Sequence, residues 1–172
     1  CKSCPGSATN TLARLCERIG ADWSEIAPAL RLDARIGPRA YLTPGLGIAG
    51  GNLERDIRTI VNLSIKNSVD HSVIDSFITD SRLRRDWVKQ VLLREFPAGK
   101  VRVAVLGLAY KEGTNSVKNA PSVELLTTKS QFSFVVHDPK VGDMILGKNV
   151  TRVDTEVEAL TVRVLAQWSE RH

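Results

Sequence analysis

A multidomain α and α/β protein is expected here, an all-helical part followed by a parallel-sheet α/β part. The grounds are a change of hydrophobic period near residue 98 and the order of elements after it. Up to Phe96, apolar residues return every three or four positions, and Pro97-Ala98-Gly99 closes that regime. Beyond it, Val101, Val103, Val105 and Leu106 form one short strand-like run, and Phe132, Phe134, Val135 and Val136 form another. Between them a helix is expected over 120–128, opening at Pro121, whose fixed φ and missing N–H suit a first helical turn. Strand, helix, strand in that order implies parallel pairing. The expected domains are therefore 1–98, helical, and 99–172, α/β, the second too short for a complete doubly wound sheet. Both ends read as cut.

Within the helical part, the first element carries Ala8, Leu12, Leu15, Cys16 and Ile19 on one face, with Gly20 as its stop. Asp22-Trp23-Ser24-Glu25 signals the start of a second, carrying Ile26, Leu30 and Leu32. Residues 37–51 hold five glycines and two prolines and can only be loop. Asn52 is placed to cap a third helix, with Leu53, Ile57, Ile60, Val61 and Ile65 as its buried face and Asp56 in its first turn. A fourth starts at Ser68-Val69-Asp70 and carries Val73, Ile74, Phe77 and Ile78. Asp80-Ser81 reads as the start of a fifth, striped by Leu83, Trp87, Val88, Val91, Leu92 and Phe96, with Arg82, Arg84 and Arg85 in a solvated first turn. In the α/β part the second strand ends at His137-Asp138-Pro139, and weaker strands are read at 150–153 and 162–165.

Composition narrows the function classes. The chain has 172 residues, 42% hydrophobic and 25% charged, as in ordinary globular proteins. No apolar run approaches the ~20 residues of a membrane span, and Cys1-Lys2-Ser3-Cys4 has no signal-peptide pattern, so a cytoplasmic protein away from membranes is expected. A net charge of +5 suits an anionic partner, nucleic acid or a diphosphate. The basic residues are scattered and aromatics make up only 5%, which argues against a nucleic-acid surface. Cys1 and Cys4 make a CxxC, yet no second pair or histidine cluster completes a zinc site, and no strand precedes it as in a redox motif. Cys16 belongs to the core face of its helix.

The sharpest local feature is the run Tyr41-Leu42-Thr43-Pro44-Gly45-Leu46-Gly47-Ile48-Ala49-Gly50-Gly51-Asn52, leading into Leu53-Glu54-Arg55-Asp56. Glycines let a backbone approach a ligand closely, and a helix start favours oxygen-rich or anionic groups. Gly45-x-Gly47-x-x-Gly50 has the spelling of a dinucleotide fingerprint without its context, because helices rather than a buried strand precede it. From spacing alone, a ligand loop and an irregular connection both stand.

Three ordered blocks add a resemblance. Arg35-Ile36-Gly37-Pro38, residues 41–56, and Val105-Leu106-Gly107-Leu108-Ala109-Tyr110-Lys111 with Thr114-Asn115-Ser116-Val117-Lys118 resemble the UDP-glucose/GDP-mannose dehydrogenase family. Asp138-Pro139 is similar to the family's Asp-Pro after the next strand, and residues 10–22 look like the end of its long central helix. The resemblance implies an enzyme that oxidises a sugar C6 alcohol to a carboxylate by two hydride transfers to NAD, through a cysteine thioester, for polysaccharide biosynthesis. It implies a central helical dimerisation domain over 1–98 and an incomplete Rossmann-like nucleotide-sugar domain over 99–172. Partners implied are a UDP- or GDP-linked sugar and a second copy of the chain. NAD is the cofactor of the full-length enzyme, and none is expected to bind this chain alone.

By the same resemblance, Gly47, Gly50 and Gly51 wrap the sugar, and Tyr41 lies near the diphosphate. Lys111 meets the nucleotide or its phosphates, and Arg35 reaches into the partner's site. Asp56 handles water or a proton, and Lys118 is counted with the substrate residues. The departures are specific. Asn52 occupies the catalytic cysteine's position, Arg55 replaces a lysine, and Lys118-Asn119 replaces Arg-Glu. A carboxamide forms no thioester. The alternative expectation is a non-catalytic dimeric module that binds nucleotide sugars or another protein.

Overall fold

The computed structural model describes residues 3–99, 101–128, 130–160 and 164–167. Cys1 and residues 162–163 of the expected fourth strand lie outside the described residues. The chain forms two compact units, Cys1–Ile48 with Asn52–Arg85, and Ala49–Gly51 with Asp86–His172.

The first unit contains α1 (Ser3–Ile19), α2 (Trp23–Arg31), α3 (Asn52–Lys66) and α4 (Ser72–Arg85). The Asp22 carboxylate accepts the Ser24 N–H at 2.7 Å and so starts α2. Both α1 and α3 pack on α4. The core at α3 and α4 is Ile57, Phe77 and Ile78, with Ile48, Leu53 and Ile74 packed against it.

Several sequence expectations change in this unit. Ile60 and Ile65 are exposed, and the inward line of α3 runs through Leu53, Ile57 and Val61 at intervals of four. On α1, Leu12, Leu15 and Ile19 face outward, while Thr9, Ala13 and Cys16 are buried. Asn52 is the first residue of α3 rather than a cap before it; the first-turn acid is therefore Glu54, and Asp56 falls in the second turn. No helix starts at Asp80-Ser81: α4 runs through them, because each side chain serves a tertiary partner instead of a cap. Asp80 accepts the Thr11 hydroxyl at 3.1 Å, and Ser81 Oγ accepts the Ile48 N–H at 2.7 Å. The arginines thus stand in the last turn of α4, where positive charge suits the helix dipole, and Arg84 is buried rather than solvated.

The second unit contains α5 (Trp87–Glu95), β1 (Arg102–Leu106), α6 (Pro121–Thr127), β2 (Ser133–His137), β3 (Val150–Arg152), α7 (Glu156–Leu160) and β4 (Val164–Gln167). The strands form one sheet in the order β3-β2-β1-β4, and every pair is parallel. Arg102 to Leu106 pair residue by residue with Ser133 to His137. Three consecutive buried residues in β1 and in β2 mark strands covered on both faces, the usual state of a parallel sheet. Pro121 opens α6 as expected, and α7 packs on β1 and β2, with Ala159 buried against Ala104 and Val135. Strand order reverses at β1, since β2 and β3 lie on one side of it and β4 on the other. Such a reversal leaves a crevice at the strand C-termini, where open α/β sheets bind ligands.

Ile57→Ala should cost ~2–5 kcal/mol in urea unfolding and Ile57→Val ~0.5–1.5 kcal/mol. Equal, negligible costs would place the α3 core line elsewhere.

Candidate functional site

In the first unit, the glycine loop is held by polar side chains from three helices. Asn10 on α1 accepts the Gly45 N–H at 2.8 Å, and Arg84 Nε on α4 donates to the Gly45 carbonyl at 2.7 Å. Trp23 on α2 donates its indole N–H to the Leu42 carbonyl at 2.8 Å. Gly47 has φ +89°, and a Cβ there would meet the Ser81 carbonyl and lie 2.8 Å from Ser81 Oγ, so only glycine fits. Thr9, Asn10, Ser81 and Arg84 are all buried, which makes this a satisfied polar interior rather than an irregular connection. Arg84 also pairs with Glu17 at 3.2 Å.

In the second unit, Ala49–Gly51 is tied to the segment that leads into α6. The Gly50 N–H donates to the Lys118 carbonyl at 2.9 Å, and Asn119 Nδ2 donates to the Gly50 carbonyl at 2.6 Å. Gly50 has φ +75°, and a Cβ on it would stand 3.1 Å from the Tyr110 ring. A Cβ on Gly51 would meet the Lys118 stem and ammonium at 2.9 Å. Lys111 Nζ lies 5.5 Å from the Tyr110 ring centroid, within cation–π range. Two glycine backbones, an aromatic ring and two lysines thus belong to one surface beyond the C-terminal end of β1.

Asp138 shapes that end of the sheet. It is buried, with 8% of its surface exposed. One oxygen accepts the N–H groups of Leu108 at 2.6 Å and Ala109 at 3.2 Å. The other accepts those of Lys140 and Val141, both at 2.8 Å. Burial alone would raise this carboxyl, but the four N–H donors outweigh it and hold it below the ordinary carboxylate value. The Gly107 N–H bonds the His137 carbonyl and the Tyr110 N–H bonds the Ser116 carbonyl, each at 2.9 Å, so the turn after β1 is fixed at both ends.

Of the sequence-derived site residues, the second unit brings Gly50, Gly51, Lys111 and Lys118 together. Arg35, Tyr41, Gly47, Asn52 and Asp56 belong to the first unit. Arg35 is exposed and chelates Asp33, its closest contact 2.6 Å; that pair lowers the Asp33 carboxyl and raises the guanidinium. Asp56 is exposed and pairs with the adjacent Arg55 at 2.8 Å. Asn52 is exposed at the start of α3, directly after Gly51. Tyr41 is 46% exposed, and its carbonyl lies 3.4 Å from the Thr9 hydroxyl. Asn10, Ser81, Arg84, Asn119 and the bonding of Asp138 were missed; for Asn10, Ser81 and Arg84 the one available signal was a polar residue at a helix position facing the core. Among the described residues, no three His, Cys, Asp or Glu side chains converge to hold a metal, and no helix is long and apolar enough to cross a membrane.

Comparison with known proteins decides the ancestry. The model of the UDP-glucose/GDP-mannose dehydrogenase family, central domain, matches residues 6–80. UDP-glucose 6-dehydrogenase TuaD of Bacillus subtilis is 32% identical over 174 residues, covering 95% of this chain and 38% of the relative. A UDP-glucose 6-dehydrogenase of Rickettsia bellii is 35% identical over 120 residues, covering 68% of this chain and 27% of the relative. A solved UDP-glucose dehydrogenase from the archaeon Pyrobaculum islandicum superposes with a TM-score of 0.78 at 26% identity, over 95% of this chain and 39% of that one. The chain belongs to the UDP-glucose/GDP-mannose dehydrogenase family.

It spans 38% or less of the length of these two nucleotide-sugar dehydrogenase relatives. The described residues do not fit a dinucleotide site. Gly45 and Gly47 are bonded or packed to α1 and α4, Gly50 counts with the other unit, and no strand leads into the run. The turn after β1 is Gly107-Leu108-Ala109-Tyr110, which lacks the second and third glycines of that fingerprint.

The sign of the Asp138 contribution follows from its lowered carboxyl. Its folded value lies below the unfolded ~3.9, so its stabilisation is full well above that value and is lost as pH falls through the folded one. Asp138→Asn should therefore destabilise the chain at pH 7 by ~1–3 kcal/mol, because an amide cannot accept all four N–H bonds. The gap between parent and variant in urea unfolding should shrink as pH drops below about 4. A gap independent of pH would rule out the charged carboxylate as the stabilising form. Arg84→Met, which strips a buried partner from the Gly45 carbonyl and Glu17, should cost ~1–3 kcal/mol in the same measurement.

Proposed function

We propose that this chain is the nucleotide-sugar-binding and dimerisation portion of an NAD-dependent nucleotide-sugar dehydrogenase, and that it does not itself turn over NAD. The observation that carries the reading is the meeting of Gly50 and Gly51 with Tyr110, Lys111 and Lys118 at the reversal of strand order. Open α/β sheets take ligands at such a place. Two ammonium groups there suit a diphosphate as point charges, and glycines without side chains let a sugar approach the backbone closely.

In this reading residues 99–172 hold the nucleotide, and Lys111 and Lys118 neutralise its phosphates. Residues 1–98 supply the sugar loop and the dimer surface. Leu12, Leu15 and Ile19 on α1 and Ile60, Leu63 and Ile65 on α3 are exposed in the single chain, and the dimer in this reading covers them. Arg35 then serves the partner's site and Tyr41 the diphosphate. When bound to the full-length enzyme, NAD would accept hydride from the sugar C6; among the described residues no group is fitted to hold it. Asn52 stands where the family places its nucleophile. An amide nitrogen is delocalised into its carbonyl and is no nucleophile at neutral pH, so the thioester step is closed to this chain. That departure also favours a second reading, a non-catalytic dimer that binds nucleotide sugars or another protein. The cytoplasm is the compartment proposed under either.

Calorimetric titration with UDP-glucose, UDP-N-acetyl sugars, GDP-mannose and NAD separates these. One nucleotide sugar should bind and NAD should not, and Lys111→Ala should weaken the sugar nucleotide ~10-fold, as loss of one charge-assisted contact does. Tight NAD binding would overturn the assignment. Silence from every nucleotide sugar, with a dimer in light scattering, would leave the protein-interaction module.

A further inference from the structure

Asn119 performs two tasks that a connecting residue rarely combines. Its backbone is left-handed, φ +54°, a region that non-glycine residues seldom occupy and that asparagine tolerates best. Its side chain donates from Nδ2 to the Gly50 carbonyl at 2.6 Å. The residue before it, Lys118, accepts the Gly50 N–H on its own carbonyl at 2.9 Å. Both polar groups of the Gly50 peptide frame are thus taken by two consecutive residues, although 69 positions of sequence separate Gly50 from Asn119. Gly50 is buried by this pairing, and its α-carbon faces Tyr110 closely enough that a Cβ would need the ring to move.

We infer that Asn119 is a positioning residue for nucleotide binding: the Asn119–Gly50 clamp fixes Ala49–Gly51 against Tyr110 and thereby sets where the Lys118 ammonium stands. The inference rests on the proposed nucleotide-sugar reading and deepens it. The strained backbone turn directs the Asn119 amide toward Gly50. The Gly50 N–H then locks the Lys118 main chain, while the Lys118 stem lies along Gly51. A ligand with a diphosphate would therefore meet a lysine already held in place, without the entropy loss of ordering a loop on binding.

Asn119→Gly separates this from a purely conformational role. Glycine adopts the same left-handed backbone at no steric cost and removes only the amide. Asn119→Asp keeps the shape but puts carboxylate oxygen where the Gly50 carbonyl needs a donor. The probe is UDP, titrated into the full chain by calorimetry, with exchange of the Gly50 amide proton followed by NMR. Asn119→Gly should exchange the Gly50 amide faster and bind UDP about three- to tenfold more weakly, the worth of one neutral hydrogen bond. Asn119→Asp should bind UDP at least as weakly as the glycine variant. Unchanged UDP affinity in Asn119→Gly would overturn the positioning role, and unchanged Gly50 exchange would overturn the clamp. If the parent chain binds neither UDP nor any nucleotide sugar, the nucleotide reading fails, and with it the ligand half of this inference. The exchange comparison still decides whether Asn119 holds Gly50.

Discussion

Asp138 leaves the end of β2 with its carboxylate enclosed by four main-chain N–H groups, two from the turn after β1 and two from the turn that follows it in sequence. Without an acceptor there, those N–H groups would be buried and unpaired, each a cost comparable to a lost hydrogen bond. A neutral acceptor could not serve all four, and a carboxylate gains most where water is scarce. The rest of the second unit's candidate site hangs on this arrangement. The turn it secures carries Tyr110 and Lys111. Tyr110 closes the turn through Ser116, and the chain then reaches Lys118 and Asn119, which hold Gly50.

The first unit meets a related constraint from the opposite direction. A loop brought inside must find partners for every peptide group, and glycine contributes none from a side chain. Tyr41, Leu42, Gly45 and Ile48 find partners in Thr9, Asn10, Trp23, Ser81 and Arg84, and of these Thr9, Asn10, Ser81 and Arg84 occupy buried positions that an apolar core would otherwise fill. That substitution explains the odd distribution of apolar residues on α1. With Thr9 and Asn10 turned in, Leu12, Leu15 and Ile19 are carried to the outer face, where only another surface can cover them.

How far the sequence could be read follows from how local each determinant is. Pro121 starts α6, Asp22 caps α2, and β1 and β2 alternate with a helix, because each rests on a few neighbouring residues. Of the expected α3 face, Leu53, Ile57 and Val61 turn inward while Ile60 and Ile65 do not, because that helix is apolar on two sides and periodicity does not say which side has company. Asp80-Ser81 looked like a helix start because aspartate and serine favour caps; their actual partners, Thr11 and Ile48, lie far away in sequence. The same distance hid Arg84, whose bond to Gly45 crosses 39 positions. In the candidate site, Gly50, Gly51, Lys111 and Lys118 could be named from motif blocks. Asn119 could not, since its part depends on a left-handed backbone that no spacing reveals.

Asn52 brings these threads to one residue. It begins α3, and a helix N-terminus with its unpaired N–H groups stabilises negative charge, which for a cysteine means a lowered thiol pKa and a ready thiolate. An asparagine at that position has no ionisable form for the helix to stabilise. In the proposed reading, the start of α3 is where the family places its nucleophile, and Asn52 stands there. In that reading the lysines beside Gly50 and Gly51 attract an anionic sugar nucleotide through their charge, and that attraction does not depend on whether residue 52 attacks it.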